Sequence, residues 1–596
     1  MSTLLLALLA CYVGGSVLPP CLRGHPTLQN LLAHSLACAA GLFGIALGVA
    51  GLVASEPLTA SVSSTIPYLS FAIRLDPLAA FFVLTISLVG LACAIYALGY
   101  VTEFYGRASI GALGSLFNGF LLAMTLVVLA DNGFFFLIVW EIMSLLSYFL
   151  VVTEHEKAEV RYAGFFYLVM THVGTAFIIL TFLLLFRETG SFSFDVFRHP
   201  EAPLPPGLRT VAFVAALIGF GTKAGIVPLH VWLPYAHPAA PSHISALLSG
   251  VMIKTAIYAL VRGLYHTINH ALFKALLFLG AGSLLYATHT RDMEEHGGLL
   301  RRMPWTGLFF LIGAVSISAL PPSNGFVSEW LVFQSLFLSF QLPDLFLKLM
   351  LPIAAAMLAL TGVLALACFA KAFGISFLAL PRSAHARHAE EAPVSMRVGM
   401  AFLAVACIVL GVAPMVVVPL LDRVVAPLAR VSIEGKVLAM DGWAVAPVNV
   451  EFSSLSPPVL AFLLAALSLL GLGLVAAFGG LAKTRFYKTW GCGINLTPRM
   501  EYTATGFVQP IKRVFSAIYQ PTVKLETELL EESRYFAKRQ RFESRIEPVF
   551  QKYLYDPVVA FFIAAADRLR IIQAGSLHLY LTYIFVVLVL LLLITI

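Results

Sequence analysis

Residues 219–228 read Gly-Phe-Gly-Thr-Lys-Ala-Gly-Ile-Val-Pro, and Lys223 at their centre lies inside an apolar run from 209 to 233. The run is long enough to cross a bilayer as a helix. Its glycines and Pro228 allow the helix to unwind beside the lysine, and a discontinuous membrane helix exposes unpaired backbone groups and admits water. The stretch therefore predicts a membrane helix that is broken beside a charged group.

The composition of the whole chain agrees with a membrane location. Of the 596 residues, 60% are hydrophobic and 12% are charged, and the mean hydropathy is +0.90. Soluble domains carry about a quarter charged residues, so ordinary globular and disordered classes are excluded. The net charge of +7 is better explained by loops beside anionic lipid than by nucleic-acid binding. The seven cysteines form no CxxC pair, which argues against iron–sulfur ligation and a disulfide framework.

Apolar runs recur along nearly the whole chain and predict an all-α polytopic membrane protein with about fourteen transmembrane helices. The first run lacks a basic region before it and is interpreted as a helix, not a cleaved signal. The run at 304–340 contains Pro321-Pro322-Ser323-Asn324-Gly325, so we expect a helix broken within the membrane. The predicted spans are 2–18, 29–54, 76–100, 109–130, 131–152, 161–186, 209–233, 244–262, 265–288, 304–340, 351–380, 397–421, 457–482 and 577–596.

The distribution of lysine and arginine predicts the orientation of the chain. The loops after odd-numbered helices carry most of these residues, including Arg107, Lys157 and Arg291, and the largest group lies between Lys483 and Arg570. Loops rich in lysine and arginine stay in the cytoplasm. Both termini are therefore expected to lie outside.

Residues 483–576 form the one sizeable polar segment of the sequence. It contains Leu525-Glu526-Thr527-Glu528-Leu529-Leu530-Glu531-Glu532 and Lys538-Arg539-Gln540-Arg541, which together form a mixed-charge pattern. The pattern predicts an exposed helix along the membrane or against a partner. A solvated helix without a particular partner is the alternative.

Several charged residues remain inside the predicted spans once the loops are assigned. A charge at the centre of a membrane helix costs about 2.5–3.5 kcal/mol on insertion scales, so each such group requires a reason. Histidines also lie in or beside the apolar runs. The charged groups are Glu141, Lys223, Lys254, Lys274, Glu329 and Lys371, and the histidines are His172, His230, His237, His243, His266 and His270.

Titratable side chains spread through successive helices are suited to proton movement. Burial opposes the charged form of a lysine or glutamate and a nearby opposite charge favours it, so moving one partner switches the proton on or off. Histidine titrates near neutrality and bridges neighbouring sites. His270 and Lys274 are four residues apart and share a helical face. Snorkelling or a static ion pair explains any one lysine equally well, but the whole set favours a proton path.

Three motifs carry a family resemblance. Trp140-Glu141-Ile142-Met143-Ser144-Leu145 resembles the fifth-helix motif of the antiporter-like subunits of respiratory complex I, Mrp antiporters and membrane-bound hydrogenases. The stretch from His230 to Lys254 resembles the seventh and eighth helices of that family, and Asn269–Leu279 resembles the eleventh. The resemblance covers most of residues 70–420.

A more specific resemblance lies towards the C-terminus. Trp490-Gly491-Cys492-Gly493 and the stretch from Pro498 to Phe507 are similar to the large antiporter-like subunits of group 4 nickel–iron hydrogenase complexes, the type of hydrogenase-4 component B and formate hydrogenlyase subunit 3. This region argues against quinone-reducing complex I and against a sodium/proton antiporter, which remain the alternatives within the superfamily.

The resemblance implies roles for the charged residues. Glu141 and Lys223 would be the paired modulator and carrier of the first half-channel. Lys254 and Lys274 would be central relay sites, and Glu329 would be terminal. No residue is predicted to be catalytic or to hold a metal or cofactor. The complete set predicted to translocate protons is Glu141, Lys223, His237, His243, Lys254, His270, Lys274, Glu329 and Lys371.

The sequence departs from this family at one place. The family has two more helices between those that carry Lys254 and Lys274, whereas here Arg262-Gly263-Leu264-Tyr265 is the whole connection. The second inverted repeat is therefore expected to be short of two helices. Loss of a pair preserves the topology downstream but removes polar groups of the second half-channel. The alternatives are a natural shortened pump, a subunit that no longer pumps and an assembly error in the gene sequence.

The expected organisation follows from the spans and the resemblance. It comprises N-terminal transmembrane helices at 1–108, a first antiporter-like repeat at 109–262, a shortened second repeat at 263–421, a C-terminal helix region at 422–482, a cytoplasmic polar segment at 483–576 and a final transmembrane helix at 577–596.

The function implied is that of a proton-translocating subunit of a redox-driven complex in the cytoplasmic (inner) membrane of a bacterium or archaeon. Its partners would be other membrane-arm subunits, a hydrophilic hydrogenase or quinone-reductase arm and the lipid bilayer, with no nucleic acid. Electron transfer in the partners would bias the lysine and glutamate protonation equilibria, and the chain would bind no cofactor of its own. A membrane scaffold that conducts nothing is the alternative from another class, and the missing helix pair favours it.

Overall fold

The computed structural model describes residues 1–201, 204–255, 263–429, 438–439, 444–445, 455–478, 490–529, 535–546 and 548–570. Helices make up most of this part of the chain. Those up to the shortened repeat are α1 (Ser2–Cys21), α2 (Pro26–Val53), α3 (Pro77–Tyr100), α4 (Ile110–Leu129), α5 (Gly133–Val151), α6 (Ala158–Thr189), α7 (Phe194–Arg198), α8 (Pro206–Ala224), α9 (Leu233–Ala239), α10 (Ser242–Leu247) and α11 (Ile253–Thr255).

The second group of helices follows the segment 256–262. It consists of α12 (Leu264–Thr288), α13 (Pro304–Ile317), α14 (Asn324–Phe337), α15 (Leu345–Phe377), α16 (Ala384–His388), α17 (Val394–Val412) and α18 (Pro414–Ala429). Four further helices are Pro457–Ala477, Ala504–Val514, Ser516–Tyr519 and Asp556–Arg570.

The described helices confirm the polytopic membrane fold. Eleven are long and apolar enough to cross a membrane, and Ser242–Met252 and Pro304–Ile317 are shorter apolar helices. Together they correspond to every predicted span except 577–596, which lies outside the described residues.

The predicted break in the long run at 304–340 is present. Helix α13 ends at Ile317 and α14 begins at Asn324. The Asn324 amide donates to Asn269 Oδ1 of α12 at 3.0 Å, which provides the start of α14 with a polar contact inside the bundle. The proline pair stops α13 because proline lacks the N–H that would continue the helix.

Helix α3 lies at the centre of the bundle and is mostly buried. It packs against α2, α12 and α17. The Tyr96 hydroxyl donates to Leu279 O of α12 at 2.9 Å. Gly399 of α17 approaches Ala92 O so closely that an added Cβ would lie 2.7 Å from it. Helices from distant parts of the chain therefore meet on α3.

A hairpin closes one end of the first repeat. Strands β1 (Leu58–Ser63) and β2 (Ser70–Leu75) pair antiparallel. The amide of Asp131 donates to Ala72 O at 2.9 Å, which ties the α4–α5 junction to this hairpin. The Asn132 side chain then caps α5 by accepting from Phe134 and Phe135 N–H at 3.0 Å each, so the helix that carries Glu141 starts from a fixed point. Two short strands, Leu438–Ala439 and Ala444–Val445, also pair.

The chain divides into two compact units, Met1–Ala504 and Thr505–Ile596. In the second unit, the predicted exposed helix around 525–541 is wrong, because strands Thr522–Leu529 and Ala537–Arg545 form an antiparallel hairpin there. The pairing places Glu526 opposite Arg541 and Glu528 opposite Arg539. The mixed charges that suggested a helix face instead form favourable pairs across two strands.

Candidate functional site

Lys223 is the most deeply buried charged group of the first repeat. Its side chain is 2% exposed and lies in the last turn of α8. The helix ends one residue later at Ala224, and the next residue, Gly225, adopts a left-handed conformation with φ of +72°. The break predicted beside this lysine is therefore present.

The ammonium group of Lys223 has uncharged hydrogen-bond partners. It donates to Ser144 Oγ of α5 at 2.9 Å and to the Tyr167 hydroxyl of α6 at 3.0 Å. It also lies 5.2 Å from the centre of the Tyr167 ring and 5.8 Å from that of Trp140, distances at which a cation is attracted by an aromatic face. Neutral partners hold the lysine in place in either protonation state.

Two glycines allow α6 and α8 to approach closely enough to form this site. A Cβ on Gly219 would lie 2.6 Å from Ile178 Cγ1 and 2.9 Å from Gly174 O. A Cβ on Gly174 would lie 3.1 Å from Gly219 O and from Thr222 Cβ. Because Lys223 follows one turn after Gly219, the glycine contact sets its distance from Tyr167.

Glu141 lies on the same face of α5 as Ser144 but forms no ion pair with Lys223. Its Oε2 instead lies 3.5 Å from His172 Nε2 of α6. The side chains of Glu141 and His172 are 30% and 49% exposed. The carboxylate still acts electrostatically on Lys223 and on Tyr167. Glu141 and Lys223 are therefore related by charge and not by a direct contact.

A second cluster of titratable groups gathers around α12. Lys274, His270 and His266 lie on this helix, and His270 is partly buried. Lys254 interacts electrostatically with Lys274 and His270, and His237 with Lys274. Within the described residues, none of these five groups forms an ion pair. The predicted central relay residues therefore lie together.

Glu329 and Lys371 lie on the next helices, α14 and α15. His266 Nδ1 is 3.0 Å from Ser328 Oγ, which connects the α12 cluster with the residue beside Glu329. An added Cβ at Gly362 of α15 would lie 3.7 Å from Glu329 Oε2, so the carboxylate faces α15. Lys371 belongs to the same helix and is half-buried. His243 is fully buried at the start of α10, apart from both clusters.

Sequence reasoning missed three residues of these polar regions. Ser144 and Tyr167 are the contacts of Lys223, but neither residue type is unusual in a membrane helix. His34 of α2 is fully buried and its Nδ1 lies 2.9 Å from Asn30 O. The sequence does contain an indication of this buried histidine. Asn30 and His34 are four residues apart within an apolar run, so they share a helical face.

Comparison with protein families gives a match to the model described as NADH:quinone oxidoreductase/Mrp antiporter, over residues 130–266 and 263–357. The match breaks at the point where the helix pair was predicted to be missing. The chain is 33% identical to hydrogenase-4 component B of Escherichia coli, covering 98% of each chain. That alignment runs over 667 positions, more than the 596 residues of this chain, so the relative has residues that this chain lacks.

Other relatives agree. The chain is 28% identical to formate hydrogenlyase subunit 3 of Escherichia coli, over 85% of this chain and 91% of the relative. Its fold resembles a chain of the archaeal membrane-bound sulfane sulfur reductase, with a TM-score of 0.78, 20% identity and coverage of 99% of this chain and 100% of the other. It also resembles a chain of the Mrp complex from Dietzia sp., with a TM-score of 0.70, 20% identity and coverage of 100% and 63%.

Proposed function

Because the chain belongs to the family of antiporter-like membrane subunits that includes hydrogenase-4 component B, we propose that it moves protons within the membrane arm of a redox-driven complex. The observation that carries this proposal is the environment of Lys223. The lysine is buried at a helix break with neutral partners, and the carboxylate of Glu141, one turn before Ser144 on α5, acts on it without contacting it. Movement of that carboxylate would shift the lysine between its charged and neutral forms.

In this proposal Glu141 is the group that modulates Lys223. A charge interaction of about 1–4 kcal/mol is expected for such groups near a protein surface, which corresponds to roughly tenfold or more in the proton equilibrium. Glu141→Gln should therefore lower the number of protons moved per electron by about tenfold, with assembly and dye-linked electron transfer unchanged. The measurement is acidification of inverted membrane vesicles on addition of electron donor. Glu528→Gln, at an exposed carboxylate of the second unit paired with Lys538, is the matched control.

Unchanged acidification in the Glu141→Gln variant would favour the scaffold alternative. The predicted absence of two helices favours a scaffold, because these helices carry polar groups of the second half-channel in the family. The intact clusters around Lys223 and α12 favour transport.

The outer face of α5 and α6 is proposed to contact another membrane subunit. The Glu141–His172 pair is partly exposed there, and Ile142 and Leu145 beside it are exposed apolar residues. A polar pair facing lipid at membrane depth is unfavourable, so a neighbouring chain that covers it stabilises the assembly. We propose that this neighbouring chain is another subunit of a hydrogenase-type membrane complex, as the names of the relatives above suggest.

A photo-crosslinker at Phe165 tests this contact, because Phe165 is two turns before His172 and is 64% exposed. It should form a crosslink with another membrane subunit of the purified complex. The same probe at Leu42 of α2, which is 60% exposed, reports contact with lipid. Recovery of lipid adducts alone from the Phe165 position would contradict the proposed interface.

We place the chain in a bacterial or archaeal cytoplasmic membrane with both termini outside. Arg107, Lys157 and Arg291, from three loops that were predicted to be cytoplasmic, line one cavity of about 1560 Å³. Their convergence on one side supports the common location of these loops. A membrane-impermeant maleimide should label the exposed Cys21 in inverted vesicles and not in intact cells. Labelling in intact cells would reverse the orientation.

A further inference from the structure

A row of hydroxyl groups lies between the cavity that Arg107 and Arg291 line and helix α12. It starts at Tyr100 of α3, which lines the cavity and is otherwise buried. The Tyr100 hydroxyl is 3.3 Å from Ser242 Oγ, at the start of α10. Farther in, the Tyr96 hydroxyl is 3.2 Å from Ser283 Oγ of α12. The Lys223 site uses none of these residues.

The two hydroxyl pairs come close to each other at Gly282. A Cβ at this position would lie 2.7 Å from Ser242 Oγ and 2.7 Å from the Tyr96 hydroxyl oxygen. The two oxygens are therefore close enough for one water molecule to bridge them. The absence of a side chain at Gly282 leaves the row continuous from the cavity to α12.

Two fully buried histidines lie beside the outer part of this row. The ring centres of His243 and Tyr100 are 5.6 Å apart, and those of His243 and His34 are 6.3 Å apart. Both ring nitrogens of His243 and Nε2 of His34 have no hydrogen-bond partner in the described part of the chain. Buried polar atoms are usually paired, and an unpaired one costs about 1–3 kcal/mol. An imidazole with both nitrogens free is able to accept a proton on one side and release one from the other.

The charged groups around the row lie at its cavity end. Glu103 and Arg291 act electrostatically on Tyr100, and Glu103 Oε1 lies 3.6 Å from His289 Nδ1. From α4, the ring of Phe117 packs against both histidines, so this side supplies an apolar wall. A titratable pair at an aqueous opening followed by neutral hydroxyls inside is an arrangement that collects protons and passes them inward.

We propose that Tyr100, Ser242, Tyr96 and Ser283, with His243 and His34 beside them, form a proton inlet from this cavity to α12. The inlet rests on the proposed transport function and adds a route to it. It reaches α12 at Ser283, nine residues after Lys274 on the same helix. It therefore approaches this helix from the side of α3.

Conservative tyrosine variants test the inlet, because Tyr→Phe removes only the hydroxyl. Tyr96→Phe and Tyr100→Phe should each lower the rate of donor-driven proton uptake in reconstituted vesicles by about tenfold or more, since positioned proton-transfer groups contribute about 10²–10⁴-fold. Assembly and electron transfer should stay at the wild-type level. Tyr12→Phe is the matched control, because Tyr12 is equally buried and its hydroxyl bonds to no described residue.

A chemical-rescue experiment separates proton transfer from packing. His243→Ala should slow uptake, and added imidazole entering from the cavity should restore it in proportion to the concentration of the neutral form. A packing defect would not respond to imidazole in this way. If the wild-type complex moves protons and the two tyrosine variants match Tyr12→Phe, the inlet is overturned and the transport function stands. If the wild-type complex moves none, both are overturned.

Discussion

Replacement of Lys223 by alanine is expected to abolish donor-driven proton movement while leaving the complex assembled. The ammonium group is the buried titratable group at the helix break, and its loss removes one hydrogen bond from Ser144 and one from Tyr167. Both hydroxyls keep a partner, Trp140 O for Ser144 and Ser147 Oγ for Tyr167, so the cost is about 0.5–1.5 kcal/mol for each lost bond, which a large membrane assembly tolerates. Proton movement should fall by at least about 100-fold, the lower range for a positioned proton-transfer group. Vesicle acidification, with electron transfer followed in parallel, gives the measurement.

A second substitution at the same position separates charge from proton exchange. Lys223→Arg keeps the positive charge, but a guanidinium group does not release its proton in proteins. It should therefore be as inactive as Lys223→Ala. Lys538→Ala, at an exposed lysine of the second unit, is the control. Normal acidification in either Lys223 variant would exclude this lysine as the carrier.

Gly219→Val is expected to have the largest effect on stability. A Cβ there would lie 2.6 Å from Ile178 Cγ1 and 2.9 Å from Gly174 O, so α6 and α8 would have to separate. Overpacking of this kind costs about 1–3 kcal/mol or more. The displacement would also carry Lys223 away from Tyr167, so proton movement should fall together with stability. Thermal unfolding of the detergent-purified protein and its yield in the membrane are the two measurements.

Gly207→Val on the same helix is a matched control, because an added Cβ at Gly207 meets no atom within 4 Å. Both variants carry the same loss of backbone freedom and the same β-branched side chain. A similar change in the two would show that the α6–α8 contact is not what limits stability. A loss confined to Gly219→Val would assign it to the close approach.

Features that depend on local chemistry could be predicted from the sequence. The helix break after Lys223 and the interruption at Pro321-Pro322 follow from glycine and proline, whose backbone preferences act within a few residues. The apolar runs likewise predicted the spans, since membrane helices satisfy their own backbone groups.

Features that depend on contacts between distant parts of the chain could not be predicted from the sequence. The segment around 525–541 forms a hairpin in which Glu526 lies opposite Arg541 and Glu528 pairs with Lys538, and a charge pattern along the sequence does not distinguish this arrangement from a helix face. Glu141 contacts His172 and not Lys223, because the approach of α5 to α6 decides the pairing. The position of His34 beside His243 depends on the packing of α2 against other helices, so the sequence alone did not indicate it. The roles of the predicted site residues stay predictions until the variants above are measured.

The central position of α3 has a consequence for how the bundle assembles during synthesis. The Tyr96 hydroxyl bonds to Leu279 O of α12, and Ala92 O lies against Gly399 of α17, so two later helices pack on a helix that precedes both in the chain. Helix α3 is therefore already in place when α12 and α17 enter the membrane, and it provides the surface against which each of them is positioned.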